Sequence, residues 1–374
     1  MRLMHLRTWL AIDTDALHHN LAQVVYMART AACGVVLKSN AYGHGAALLA
    51  SVLERNAHVA WFLVGTIAEA LQLRDCGSTK HILVMTSDWY GIVDAVMRRI
   101  TITISDRSSV TQIVLAARQL QQRAQVHIKI DVGLHRLGVA PEEFAAFFTD
   151  ILAIPEIQVT GVFAHLSDTD DDSYTCACIA TFVRVTQMVP SSCVRHIAAS
   201  GALWVDVLFD MVRVGTVLYG SWKSETHRMR LQDQYPGLYL RPIASWYTSI
   251  IQINQVPAGE HVGYGRTYKT KRPMRIAVVP VGYADGFARS FSNCGIVMIC
   301  GHYAPVIGVV SMNLIMIDVT MIPEAVPGSI VVLMGDCDGI RPNDLSARVH
   351  TNPNEITARI ADAIPRFLLD VNTA

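Results

Sequence analysis

The chain has 374 residues, more than one ordinary domain, so two domains are the starting expectation. Hydrophobic residues make up 51% and charged residues 17%, which supplies a large core. The 31 Lys and Arg balance 31 Asp and Glu, without a basic run or acidic tail, so nothing asks for nucleic acid or an anionic membrane surface. No apolar run reaches ~18 residues, so no transmembrane helix is expected. Residues 1–10 lack the apolar segment of a secretory signal. Eight scattered cysteines do not suggest a disulfide scaffold, and Cys176-x-Cys178 lacks a second pair at ligand spacing, so no metal site is expected. A reducing cytoplasm is the expected location.

Residues 13–29 read as a helix, with Asp13, Thr14 and Asp15 available as caps and Leu17, Leu21, Val24 and Val25 on one stripe. Strands then alternate with helical patterns: 35–38, 61–65, 81–85, 100–104, 126–131, 159–165, 194–198 and 211–214. Thr66 and Glu69 form a capping box that opens a helix, and Gly77 closes it. Eight such units over about 230 residues predict an α/β fold, an N-terminal (β/α)8 barrel of the TIM type covering residues 8–235. An open doubly wound sheet is the alternative, but no GxGxxG fingerprint accompanies it. From residue 241 to 374 the pattern changes to a β-rich domain, with strands expected at 246–256, 274–281, 295–299, 304–310, 314–319 and 329–334. A terminal helix follows, where Asn352 can cap, Pro353 suits the first turn and Glu355 completes a capping box.

The chemistry centres on Val36-Leu37-Lys38-Ser39-Asn40-Ala41-Tyr42-Gly43-His44-Gly45. An apolar strand ends at a lysine and a glycine-punctuated loop follows, which delivers the lysine to the carboxyl end of a buried parallel strand. Desolvation there lowers an ammonium pKa and exposes the nucleophilic amine a Schiff-base lysine needs. A lone lysine snorkelling to water would share this pattern. The decapeptide, however, closely resembles the pyridoxal-phosphate signature of the alanine racemase family, and further motifs along the chain agree with it.

The resemblance implies the cofactor pyridoxal 5'-phosphate, held covalently at Lys38, with its phosphate near Tyr42, Ser200, Gly215 and Thr216. Backbone N–H groups at the starts of helices after the seventh and eighth strands suit a phosphate. Arg213 matches the arginine that faces the pyridine nitrogen, and His165 the histidine that supports it. An arginine can donate to that nitrogen but cannot accept its proton, which leaves a weaker electron sink and disfavours transamination. Arg136 matches the arginine that reaches the cofactor's phenolic oxygen, and Lys129 the lysine that is often carbamylated. On its own residues, Lys129 reads as a strand lysine paired with an acid such as Asp131. Tyr264 in Gly263-Tyr264-Gly265-Arg266 matches a second catalytic base that reaches a neighbouring subunit's cofactor. Proton exchange on opposite faces of one carbon needs two acid–base groups. Tyr283, Met312 and Asn313 match residues near the entrance and the substrate carboxylate, with Asn313 where the family usually has Asp.

Asn354 stands where the family's motif carries a tyrosine, and the branch that racemises serine, associated with vancomycin resistance, carries asparagine there. The resemblance therefore implies an amino-acid racemase acting on alanine, serine or both. It would work as a homodimer whose sites are built from two chains, supplying D-amino acids for peptidoglycan precursors. The serine branch can be fused to a membrane domain, and an excised cytoplasmic domain would look like this chain. A non-catalytic pyridoxal-phosphate barrel would lack the β domain and Tyr264, and a decarboxylase of the same fold would want a carboxylate where Arg213 stands.

Overall fold

The computed structural model describes residues 6–369; the reading of residues 1–5 as free of a signal segment, and residues 370–374, lie outside the described residues. Eight parallel strands form the barrel expected from the sequence: β2 (Ala32–Val36), β3 (Val59–Val64), β4 (His81–Val84), β5 (Thr101–Ile104), β6 (Ala124–Lys129), β7 (Ile157–Phe163), β8 (Val194–His196) and β9 (Met211–Val214). They pair in sequence order from β2 to β8, β9 pairs with β2, and an isolated parallel bridge between Ala199 and Arg213 closes the ring. The strands are nearly continuous runs of apolar residues because side chains are covered on both faces, inside by one another and outside by helices. The capping box of Thr66 and Glu69 forms at the helix Ile67–Asp75.

Thr8–Asp13 forms the strand β1, which the sequence reading leaves inside the barrel domain. It pairs antiparallel with β10 (Ala244–Ser249) and parallel with β19 (Arg366–Leu369), so the barrel proper starts at the helix Thr14–Ala28, capped by Asp13. The second domain adds β11 (Gln252–Val256), β12 (His261–Val262), β13 (Tyr268–Lys269), β14 (Met274–Val279), β15 (Ile296–Ile299), β16 (His302–Ile307), β17 (Ile315–Asp318) and β18 (Ile330–Met334). Nine of these strands make one sheet in the order β11-β14-β17-β16-β15-β18-β10-β1-β19. The expected single strand 246–256 is two strands, because the chain turns at Ile250 and carries β11 to the opposite edge of the sheet. The expected terminal helix is only Pro353–Ala358, and a strand, β19, ends the sheet after it. Asn352 caps that helix, but Glu355 does not return the bond; its carboxylate takes Thr351 Oγ1 and lies 3.2 Å from Arg359.

The two domains meet at the mouth of the barrel. Arg366 donates to the carbonyl of Gly43 at 3.0–3.1 Å and to carbonyls of the 360–364 turn, and Asn40 Nδ2 donates to Asp362 at 2.7 Å. No helix among the described residues is long and apolar enough to cross a membrane.

Candidate active site

The carboxyl ends of the barrel strands open into a cavity of about 540 Å³, whose lining includes Lys38, Lys129, Arg136, Arg213 and Lys223. Five basic side chains in one cleft, with Glu69 as the neighbouring acid of Lys38, prefer an anionic guest. Lys38 directly follows the apolar residues of β2 and Leu37. Burial first, then repulsion from Arg136, pushes its ammonium below the ordinary lysine range, while Glu69 pulls the other way. Its Nζ stands 5.8 Å from the centre of the Tyr42 ring.

Residues 39–42 are held with φ between 51° and 56°, a left-handed turn built without glycine. Such residues each cost of order 1 kcal/mol and persist only where the surroundings hold them. Here Glu69 accepts from the Ser39 N–H at 2.5 Å and from the Gly65 N–H at 2.7 Å, and Asn40 Oδ1 accepts from Ala46 N–H at 2.7 Å. The turn sends Lys38 and Tyr42 into the same cavity. Burial pushes the Tyr42 phenol up to about 12, so it stays a hydrogen-bond donor.

The expected pairing of Lys129 with Asp131 does not form. One oxygen of Asp131 accepts the N–H groups of Gly133, Leu134 and His135 at 2.9–3.1 Å, which shapes the loop that presents Arg136. Lys129 is buried, and burial with Arg136 and Arg213 nearby lowers its ammonium to about 8.

Arg213 is 3% exposed. Its Nη2 faces the carbonyls of Ala164 and Ile197 at 2.8 and 2.9 Å and His165 Nδ1 at 3.0 Å; its Nη1 lies 2.8 Å from His196 Nδ1. Those bonds use three of its five N–H groups, leaving Nε–H and one Nη1–H for an acceptor in the cavity. His196 escaped the sequence reading. The signal was available, since it lies four residues before Ser200 on a strand whose alternate residues face inward.

At the opposite end of the cavity, Ser200 Oγ accepts from the Gly215 N–H at 3.1 Å, and Thr216 Oγ1 lies within 3.3 Å of both amide atoms of Asn354. A Cβ on Gly215 would stand 2.9 Å from the Tyr42 hydroxyl, so the floor there is closed to any larger residue. Hydroxyls, small residues and a protonated phenol under a cluster of cations suit a phosphate, and the spare N–H groups of Arg213 suit a ring nitrogen. Pyridoxal phosphate therefore fits the residues present. Lys223, also unforeseen, lines this end and is tethered to Thr169 Oγ1 at 2.9 Å and Asp170 at 3.2 Å.

The structure separates the remaining expected residues from this cavity. Tyr264 is 73% exposed, and Tyr283, Met312 and Asn313 lie on the surface of the second domain, where Tyr283 N–H donates to Ser311 O at 3.1 Å. None of the four lines the Lys38 cavity of its own chain.

Residues 12–222 match the family model described as "Alanine racemase, N-terminal domain" and residues 243–368 the one described as "Alanine racemase, C-terminal domain". The chain is 34% identical to "Alanine racemase 2" of Caldanaerobacter subterraneus subsp. tengcongensis, over 97% of this chain and 95% of that relative. Among solved structures it superposes on alanine racemase of Clostridium difficile 630 with a TM-score of 0.90 at 28% identity, covering 98% of this chain and 97% of that one. The alanine racemase of Bartonella henselae, solved with covalently bound pyridoxal phosphate, matches with a TM-score of 0.84 at 25% identity, covering 97% of this chain and all of that one.

Proposed function

The chain belongs to the alanine racemase family, and on that premise we propose that it interconverts the L and D enantiomers of alanine, serine or both by exchanging the α-proton between two bases. The observation that carries the reading is the joint placement of a desolvated Lys38, a donating Arg213 and a hydroxyl-lined anion cradle around one cavity. Lys38 would hold pyridoxal phosphate, with Ser200, Gly215, Thr216 and Tyr42 at the phosphate, Arg213 braced by His165 at the ring nitrogen and Arg136 at the phenolic oxygen. When bound, that group supplies an aldehyde that condenses with amines and a conjugated ring that takes up charge.

Burial lowers the Lys38 amine's affinity for its proton, which suits a group that accepts and returns a proton on one face of the substrate carbon. The opposite face needs a second group. Tyr264, exposed on the second domain as are Tyr283, Met312 and Asn313, is that group when supplied by a second copy of the chain, so the working unit is a homodimer. Arg136 and Asn313 would hold the substrate carboxylate. A cytoplasmic supply of D-amino acids for peptidoglycan follows from this reading.

Serine turnover rests on Asn354. A tyrosine there would project into the cavity, whereas the short amide leaves room beside Thr216 and can bond a substrate hydroxyl. One such bond discriminates by ~1–3 kcal/mol, or about ten- to a hundredfold in kcat/KM. The test measures racemisation of L-alanine and L-serine by the wild type, Lys38→Ala and Asn354→Tyr. Lys38→Ala should lose both activities, and near-wild-type rates from it would end the racemase reading. Asn354→Tyr should lower serine turnover relative to alanine; an unchanged ratio leaves a plain alanine racemase.

A further inference from the structure

Behind Arg213 a line of buried rings runs down the barrel interior toward its amino-terminal face. His196 Nδ1 lies 2.8 Å from Arg213 Nη1, and His196 Nε2 lies 3.0 Å from His127 Nδ1. Both imidazoles are 0% exposed. His127 then meets the ring of Trp61 at 5.1 Å, and Trp61 stacks on His81 at 4.7 Å. The other face of the line is also closed: Phe163 lies parallel to His196 at 4.8 Å, and a Cβ on Gly161 would fall 2.6 Å from His127 Nε2.

These distances fix where the protons sit. A guanidinium has only donors, so His196 must offer Nδ1 as a lone pair and carry its proton on Nε2. That proton can go only to His127 Nδ1, which must then be unprotonated, and His127 carries its own proton on Nε2. This Nε2 has no hydrogen-bond partner and lies against Gly161, where a Cβ would collide with it. A buried donor without a partner costs ~1–3 kcal/mol, so its presence in the core needs a return elsewhere.

We propose that His196 and His127 are positioning residues, a relay of two neutral imidazoles with fixed tautomers that aims Arg213's spare N–H groups into the cavity. This rests on the racemase reading for what Arg213 faces, but the tautomers follow from this chain's own contacts. The direction of donation runs from Arg213 to His196, and separately from His196 to His127. Without the His127 acceptor, His196 Nε2–H is stranded and its ring is free to turn or change tautomer. Arg213 then loses the one protein acceptor on Nη1 among the described residues and is held through Nη2 alone, by His165 and the carbonyls of Ala164 and Ile197.

The experiment is 15N NMR of histidine-labelled holoenzyme at neutral pH, joined to kinetics of His127→Leu and His127→Gln. Both imidazoles should report the Nε2–H tautomer. His127→Leu should lower kcat about 10- to 100-fold with KM within about twofold, and shift the visible absorption of the bound cofactor. His127→Gln, whose side-chain oxygen can accept from His196, should recover most of kcat. Either histidine found as the Nδ1–H tautomer or as imidazolium would overturn the relay. So would a His127→Leu protein that is less stable yet keeps wild-type kcat per loaded site. A wild type in which both histidines are Nε2–H tautomers but which racemises nothing would sink the racemase reading and leave the relay standing.

Discussion

At Lys129 a single residue carries an unusual state. It is a buried lysine whose nearest acid, Asp131, is spent on three backbone N–H groups, so the ammonium has no close counter-ion among the described residues. With its pKa lowered to about 8, roughly one side chain in five is a neutral amine at pH 7.4, against fewer than one in a thousand for a free lysine. Only the neutral amine attacks carbon dioxide, forming an N–C bond and releasing one proton. A carbamate formed there would be an anion beside Arg136 and would remove the cost of an unpaired buried cation. Labelled bicarbonate should therefore give a protein-bound carbamate signal in 13C NMR that strengthens from pH 6.5 to 8.5 and vanishes in Lys129→Met. A signal that persists in that variant would locate the carbamate elsewhere.

The element that decides the site is the left-handed turn after β2. Its strain is held from two sides, by Glu69 from the barrel and by the helix Pro353–Ala358 from the second domain. Gly43 marks the second contact, with φ +83° and a would-be Cβ only 2.0 Å from the Thr357 carbonyl oxygen. Gly77 has a similar φ of +86° but nothing within 4 Å. The pair separates conformational cost from steric cost. Gly77→Ala should lower stability by ~1 kcal/mol, the price of a left-handed alanine. Gly43→Ala should lower it by ~2–4 kcal/mol, because the helix must also shift. Urea midpoints of the two variants at unchanged slope provide the comparison. Equal losses would mean that the two domains are not braced through this turn.

For the whole molecule, five histidines held neutral by burial set the response to acid, and His196 is held well below the ordinary histidine range. Burial holds His127 and His165 down to about 3 and His44 and His227 to about 4. Each is neutral in the folded state while its unfolded counterpart takes a proton near pH 6.5, so the unfolded chain binds more protons in acid. Their contribution is full above pH 6.5 and is lost as pH falls toward 4, by about 1.4 kcal/mol per pH unit for each group well below 6.5. Thermal midpoints should fall steeply between pH 6.5 and 5, and a flat profile across that window would contradict the buried neutral assignment. The proposed sharing of sites between two chains makes a second prediction at this scale. Lys38→Ala and Tyr264→Phe chains, each inactive alone, should regain about a quarter of wild-type activity when mixed, since half the dimers then carry one intact site. Mixtures that stay inactive although the chains exchange would place both bases in one subunit.

Much was legible in the chain because local patterns carry it. The apolar strands of the barrel, the Thr66–Glu69 box, Lys38 at a strand end and Arg213 at another are each written within a few residues, by covalent spacing and by the apolar runs of strands covered on both faces. Membership of strand β1 in the second sheet was not legible, since its partners β10 and β19 lie hundreds of residues away and any extended apolar segment could join either sheet. The same holds for the site. Tertiary packing decided that Asp131 serves its own loop rather than Lys129, and that His196 and His127 line up behind Arg213. It also set Tyr264 on a surface outside the cavity of its own chain. Which donor meets which acceptor depends on distances that only the closed barrel creates, and a polar side chain in a sequence does not say which of its neighbours will reach it first.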